Sequence, residues 1–238
     1  MDQALYRNPR AYDILYQHKD YEGEVEFVLD RFREHGNDGG SALVVGCGTG
    51  NHSRLLQRSG FDVLGIDPNP AMLDRAREKS SATFRVGALP DIELDRTFDL
   101  VWVPYTVVDY LELDTLPSAL ATLTELVAAD GLLVVDTGDF HELGAPGFQL
   151  LSSDEGSCAR LFQYHRVDAD HVRMDALVFL DDEWFFDQHT LLDVPDESIA
   201  EALRAREFTV ETADWYGTPT AMDDPADVKH RRSAVSCR

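Results

Sequence analysis

Two stretches of the chain end in residues suited to holding a nucleotide-like ligand. Ser41 to Val45 is an apolar, β-rich run that stops on Gly46-Cys47-Gly48-Thr49-Gly50, and His52 to Arg58 then reads as a helix. Alternate glycines omit the Cβ atoms that would keep a ligand off the backbone, and the free N–H groups at the helix start favour its polar groups. Seventeen residues after Gly50 a second buried-strand pattern, Phe61 to Ile66, closes on Asp67. An acid at that strand tip is placed to accept both hydroxyls of a ribose. Asn69 then caps, and Pro70 suits the first turn of, a helix over Ala71–Lys79. A Rossmann dinucleotide fingerprint requires a third glycine at position 51, and Asn51 stands there, which weakens a nicotinamide-dependent oxidoreductase.

A second set of side chains could assist a proton transfer. Phe98–Val103 reads as a strand followed by Pro104 to Tyr110, and Leu132–Thr137 as a strand followed by Gly138 to Glu142. Open α/β sheets bind ligands beyond the carboxyl ends of their strands, so Tyr105, Asp109, Tyr110 and His141 lie on the ligand side. His141 is either a base or a surface residue.

These residues need a scaffold, and 238 residues at 44% hydrophobic content can bury one substantial core. The strand and helix patterns alternate, which implies a parallel sheet. Residues 1–36 read as helices over Tyr12–Tyr16 and Tyr21–His35. Ala82–Val86 is a third strand, a helix runs from an Asp114 cap to about Val127, and Ala129-Asp130-Gly131 turns into the fifth strand. Past Pro146, Cys158–Val167, Val172–Leu180 and Glu183–Leu192 form an antiparallel meander on short turns, and residues 150–194 are taken as an inserted platform. Its aromatics Phe162, Tyr164, Phe179, Trp184, Phe185 and Phe186 exceed what a solvated face exposes. Three destinations stay open for them: an acceptor wall, a homodimer interface, or packing on the main sheet. Asp196–Arg206 is a helix, Phe208–Thr212 a sixth strand and Ser233–Cys237 a seventh. No transmembrane run, signal peptide or metal-ligand cluster is seen, and three unrelated cysteines fit reduced thiols, so a cytoplasmic protein is expected. The formal charge of −23 repels nucleic acid. Only three lysines accompany 18 arginines. That acid-rich, lysine-poor surface fits either a high-salt cytoplasm or a merely acidic protein from a GC-rich genome.

Val44-Val45-Gly46-Cys47-Gly48-Thr49-Gly50-Asn51 and Gly65-Ile66-Asp67-Pro68-Asn69-Pro70-Ala71-Met72-Leu73 resemble motifs of the class I S-adenosylmethionine-dependent methyltransferases. Phe98-Asp99-Leu100-Val101-Trp102 and Ala129 to Asp136 extend the resemblance over roughly residues 10–140. It implies a single domain with a Rossmann-like, doubly wound α/β fold, a seven-stranded sheet, an N-terminal helical lid and S-adenosyl-L-methionine as cofactor. Carried over residue by residue, Gly46, Cys47, Gly48, Thr49, Gly50, Asp67, Pro68, Met72 and Val103 contact that cofactor. The Tyr-Asp-x-x-Tyr segment before Lys19-Asp20-Tyr21 is similar to that of amino-sugar N-methyltransferases, which implies cofactor contact by Tyr12 and Tyr16; packing on a lid helix is the alternative. Where relatives have Gly-Asp-Ala this chain has Gly87-Ala88. The adenine edge then falls to backbone of Ala88 and Leu89, rather than to Asp91 behind rigid Pro90. Tyr105 and Tyr110 match the acceptor loop of those enzymes, and Asp109, in place of glycine, is either a contact for a cationic acceptor or a helix cap. A small-molecule acceptor is expected, amine ahead of hydroxyl. A protein or tRNA methyltransferase and a non-catalytic binder of the cofactor or its product remain as alternatives.

Overall fold

Five apolar segments pair in parallel, the crossovers after the first, second and fourth carrying helices and the third returning through an irregular segment. In the computed structural model, which describes residues 3–141, 143–213 and 231–237, they are β1 (Ser41–Val45), β2 (Asp62–Asp67), β3 (Thr83–Val86), β4 (Phe98–Val103) and β5 (Val127–Gly138). Helices α1 (Pro9–Leu15), α2 (Tyr21–Glu34), α3 (Asn51–Arg58), α4 (Pro70–Lys79) and α5 (Leu116–Glu125) accompany them. The C-terminal β10 (Thr209–Ala213) and β11 (Arg231–Cys237) extend the sheet, giving the order β10-β11-β5-β4-β1-β2-β3. β11 runs antiparallel to β5, so the parallel part is five strands and the count of seven needs this added pair. One core, with Leu43, Ile66, Val101, Val103 and Leu133, faces α5 and α6 (Asp196–Arg204); another, with Val44, Leu56, Leu100 and Trp102, faces α2 and α3.

The meander carries one strand more than expected. β6 (Gly147–Ser153), β7 (Gly156–Arg166), β8 (His171–Leu180) and β9 (Glu183–Leu192) form a separate antiparallel sheet. β6 escapes notice because its inward position 149 is glutamine and its outward Phe148 and Leu150 are apolar, which inverts the usual pattern. The inner face of this sheet does not pack on the main sheet. Cys158, Phe162, Met174, Ala176 and Val178 meet Leu5, Ala11, Tyr12, Ile14 and Leu15 of the N-terminal segment, with Met72 between.

Two local expectations are corrected. Asp114 does not cap α5: its N-cap is Thr115, without a side-chain cap bond, and Asp114 accepts only from the Thr115 hydroxyl. Residues Ala129 to Gly131 are no free turn but an irregular stretch inside β5, where the register against β4 shifts between Phe98 and Leu100.

Candidate active site

The glycine turn does three different jobs at its three left-handed positions. A Cβ on Gly46 (φ 69°) would sit 2.3 Å from Val107, and one on Gly50 (φ 79°) 2.8 Å from the Ala76 Cβ, so these two permit close packing of the loop after β4 and of α4. At Gly48 (φ 53°) a Cβ would meet only the Met72 methyl, at 3.8 Å. That leaves room for a ligand to approach the backbone there. Gly46 and Cys47 donate N–H to the Ile66 carbonyl at 2.7 and 2.9 Å, which docks the turn on β2. The Cys47 thiol is buried in the core and burial pushes its pKa well up, so this residue contributes backbone rather than sulfur chemistry.

Asp67 closes β2 beside that turn. Its Oδ2 accepts from the Gly48 N–H and its Oδ1 from the Asn69 N–H, each at 2.9 Å. A carboxylate has about four acceptor sites, so lone pairs remain for two ribose hydroxyls. Burial raises its pKa, and the two N–H donors pull the other way. Asn69 caps α4 through the Ala71 N–H at 2.9 Å and also holds the Tyr6 carbonyl at 2.6 Å. Pro68 is exposed, Met72 and Val103 are buried, Ala88 is exposed and Leu89 packs partly against the core. Thr49 donates to Asp13 of α1 at 2.7 Å, and Arg75 and Lys79 reach the same carboxylate at 2.7 and 2.6 Å. Arg75 continues to Glu155 at the β6–β7 turn, so this cluster straps α1, α4, the glycine turn and the second sheet together.

The loop after β4 is held in an unusual shape. Tyr105 (φ 65°) and Thr106 (φ 58°) both occupy the left-handed region, which is costly for side chains larger than glycine. Asp136, fully buried on β5, accepts both of their N–H groups, that of Tyr105 at 2.8 Å. The Tyr105 ring then stands 5.4 Å from the ring of Tyr16, which itself lies 4.6 Å from that of Tyr12. Asp136 escapes the sequence because a single acid in an apolar strand carries no spacing signal.

Not all four expected proton-handling residues converge. Tyr105 and Tyr110 line one pocket with Leu5, Tyr6, Tyr16 and Tyr164, and Asp109 and His141 are absent from its wall. Asp109 lies in a 3-10 turn, Val107–Tyr110, neither capping a helix nor facing the pocket. It is buried beneath the loop, Oδ2 accepting from the Gly138 N–H at 2.8 Å. Burial holds its carboxyl well above the usual range, with Asp136, Asp193 and Asp196 adding to the shift. His141 is exposed, its N–H donating to Asp139.

The second sheet supplies what the sequence reading overlooked. His189 lines the pocket, is 2% exposed, and its Nε2 lies 2.6 Å from Asp187 Oδ2. Its Nδ1 faces the Tyr110 hydroxyl at 3.1 Å, which in turn lies 2.6 Å from the Tyr6 hydroxyl. The available signal was the alternation of β9: Phe185, Asp187, His189 and Leu191 point inward, so two polar residues stand at core positions of a strand. Arg160 is also inward and 1% exposed. It bonds Gln149 Oε1 through Nε and Nη2 and the Tyr16 hydroxyl at 3.0 Å, with no carboxylate partner among the described residues.

Glycine turn, strand-tip acid and parallel sheet define the class I methyltransferase architecture, and comparison with known proteins agrees. A "Methyltransferase domain" family model matches residues 42–131. The chain is 28% identical over 214 residues, 86% of it and 78% of the relative, to dTDP-3-amino-3,6-dideoxy-alpha-D-glucopyranose N,N-dimethyltransferase of Streptomyces fradiae. Among solved structures, the sugar N-methyltransferase KedS8 from Streptoalloteichus sp ATCC 53650 superposes with a TM-score of 0.81 at 26% identity, covering 95% of this chain and 92% of that one. DesVI of Streptomyces venezuelae gives 0.81 at 25%, covering 94% and 96%. The matched segment and the fold are those of S-adenosylmethionine-dependent methyltransferases, and S-adenosyl-L-methionine is the cofactor the site fits. The open backbone at Gly48 and the spare lone pairs of Asp67 fit the cofactor's methionyl and ribose parts. The cofactor supplies an electrophilic methyl group on a cationic sulfur, and the chain's own residues bind, orient and exclude water. No described helix is long and apolar enough to cross a membrane.

Proposed function

We propose that the chain methylates a small-molecule amine held in the tyrosine-lined pocket. The observation that carries this reading is the wall itself: Tyr6, Tyr16, Tyr105, Tyr110 and Tyr164 surround one space at the ligand side of β4. Phenol ring faces attract a cation, and both an ammonium substrate and its methylated product are cations. The names of the Streptomyces fradiae relative and of KedS8 point the same way, toward an amino group on a sugar. A charge of −23 disfavours nucleic acid. In this reading Tyr105 and Tyr110 shape the acceptor site, Tyr12 and Tyr16 close the lid, and Gly46 to Gly50, Asp67, Pro68, Met72, Ala88, Leu89 and Val103 form the cofactor side. Asp109 acts as a buried support and His141 stays outside the chemistry.

The test is incubation with S-adenosylmethionine and dTDP-3-amino-3,6-dideoxy-α-D-glucose as the probe amine, with product masses followed. Gain of one or two methyl groups on nitrogen is expected. Cofactor binding by calorimetry without transfer to this or any amine in a metabolite extract would favour the non-catalytic binder instead.

We further infer that two copies pair through the outer face of the second sheet, in a cytoplasmic, thiol-reducing setting. Register sets Phe148, Leu161, Leu177 and Phe186 in one row across β6 to β9, and Leu150, Ala159, Phe179 and Trp184 in the next. Six of these eight are exposed large apolar side chains in a strongly acidic chain. A flat apolar sheet face matches its own copy across a twofold axis and repels nothing there. Sedimentation should show a dimer that Trp184→Glu separates, and a wild-type monomer at all concentrations would reject the pairing.

A further inference from the structure

We infer that Tyr6, Tyr110, His189 and Asp187 form a one-way proton relay that takes the proton from the acceptor's ammonium; the inference rests on the amine reading above. Hydrogen-bond directions follow from the far end inward. Asp187 is fully buried, and its Oδ1 accepts from the Leu5 N–H at 3.0 Å while Oδ2 faces His189 Nε2 at 2.6 Å. A carboxylate only accepts, so Nε2 carries the imidazole proton and Nδ1 keeps a lone pair. The Tyr110 hydroxyl, 3.1 Å away, therefore donates to Nδ1, and being spent as a donor it accepts from the Tyr6 hydroxyl at 2.6 Å. The Tyr6 oxygen is left with lone pairs only, in a pocket whose wall holds no lysine or arginine. Such an end receives N–H donors and turns away carbonyl groups.

The groups facing His189 are few. Asp187 comes from β9, Tyr110 from the turn after β4 and Tyr6 from the N-terminal 3-10 turn, with ring centroids at 5.7 and 5.1 Å for the two tyrosines. Across β8 its register partner is Met174, and Tyr16, Tyr105, Thr106 and Tyr164 complete the polar part of the wall. Burial raises the pKa of both Tyr6 and Tyr110, which keeps them as phenols that hand protons on rather than as stored phenolates. In the step itself one proton passes from the acceptor nitrogen to the Tyr6 oxygen. The Tyr6 proton moves to Tyr110, and the Tyr110 proton to Nδ1, leaving an imidazolium against Asp187. The nitrogen keeps its electron pair, forms the N–C bond as the C–S bond breaks, and the relay proton leaves to solvent with product.

Asp187→Asn is the sharpest probe, because an amide still accepts from Leu5 yet donates to Nε2, which forces the proton onto Nδ1 and reverses the relay. With dTDP-3-amino-3,6-dideoxy-α-D-glucose, kcat should fall roughly 10²-fold or more near pH 7. The deficit should shrink to about tenfold or less near pH 10, where the amine loses its proton unaided. Tyr110→Phe carries the same pH signature should the first variant misfold. A loss equal at every pH marks a structural role and overturns the relay. Nitrogen-15 NMR of histidine-labelled enzyme with S-adenosylhomocysteine and the probe amine separates this from the amine reading. His189 turning to imidazolium supports the relay even without turnover, in which case the amine reading falls. Turnover with His189 neutral overturns the relay and leaves that reading intact.

Discussion

The cofactor half and the acceptor half of the site are built on opposite plans. On the cofactor side, Gly46 to Gly50 and Asp67 come from two neighbouring parallel strands, and their bonds run mostly to backbone N–H groups of the same stretch. On the acceptor side, Leu5, Tyr16, Tyr110, Phe140, Tyr164 and His189 are drawn from the N-terminal segment, both post-strand loops and the second sheet, and the bonds of Tyr6, Tyr16, Tyr110 and His189 run from side chain to side chain. Backbone contacts fix a ligand's shape with few side chains. Side-chain contacts leave each wall residue free to change, so acceptor identity can vary on a fixed cofactor frame.

The largest expected effect tests that separation. Asp67→Ala removes an acceptor for two ribose hydroxyls and leaves the Gly48 and Asn69 N–H groups unpaired. Each charge-assisted bond is worth about 1.5–3 kcal/mol, so affinity for S-adenosylhomocysteine should drop roughly 10²-fold or more by calorimetry. If the halves are independent, the His189 imidazole resonances stay where they are. Their movement would show that the Asn69–Tyr6 bond carries strain from one half to the other.

A pH series sharpens the same contrast. The Asp67 pKa is raised in the fold, chiefly by burial, so the empty protein binds that proton more readily than the unfolded chain does. This contribution to stability is present below the unfolded value and is lost as pH rises through the folded one. Cofactor affinity runs oppositely, because the ribose site needs the carboxylate and loses it as pH falls through the raised value. Relative to Asp67→Asn, wild type should therefore lose affinity on acidification while gaining stability. Parallel curves for the two proteins would show that Asp67 titrates as an ordinary surface acid.

The unequal legibility of the two halves has the same origin. Gly46 to Gly50 and Asp67 were legible because a strand, a turn and a helix within one short stretch dictate their types. Tyr105 and Tyr110 were legible only by position after a strand, and Asp109 beside them was misplaced because a 3-10 turn rotates it inward. His189, Asp187 and Arg160 lie in strands whose partner, the lid helix, is more than a hundred residues away in sequence, and no local pattern announces that encounter. The alternation of β9 marked Asp187 and His189 as inward, and only the fold shows what they face.

The smallest effect concerns the strap between the halves and how salt acts on it. Asp13 takes Arg75, Lys79 and the buried Thr49, and Arg75 goes on to Glu155, with the charged side chains partly exposed. Exposed pairs of this kind contribute about 0.2–1 kcal/mol each and weaken as ions screen them. The rest of the molecule responds with opposite sign, because a net charge of −23 repels itself and screening relieves that repulsion. A salt-adapted chain should therefore melt higher as potassium chloride is raised, and Asp13→Asn, which has less attraction to lose, should rise more steeply than wild type. The variant should also release S-adenosylhomocysteine a few fold faster at low salt, with the gap closing at high salt, since screening then weakens the Asp13 ion pairs with Arg75 and Lys79 in wild type as well. A melting temperature flat or falling with salt in both proteins would reject the salt adaptation. A rise of equal slope in both would show that the strap adds nothing across the boundary between cofactor and acceptor halves.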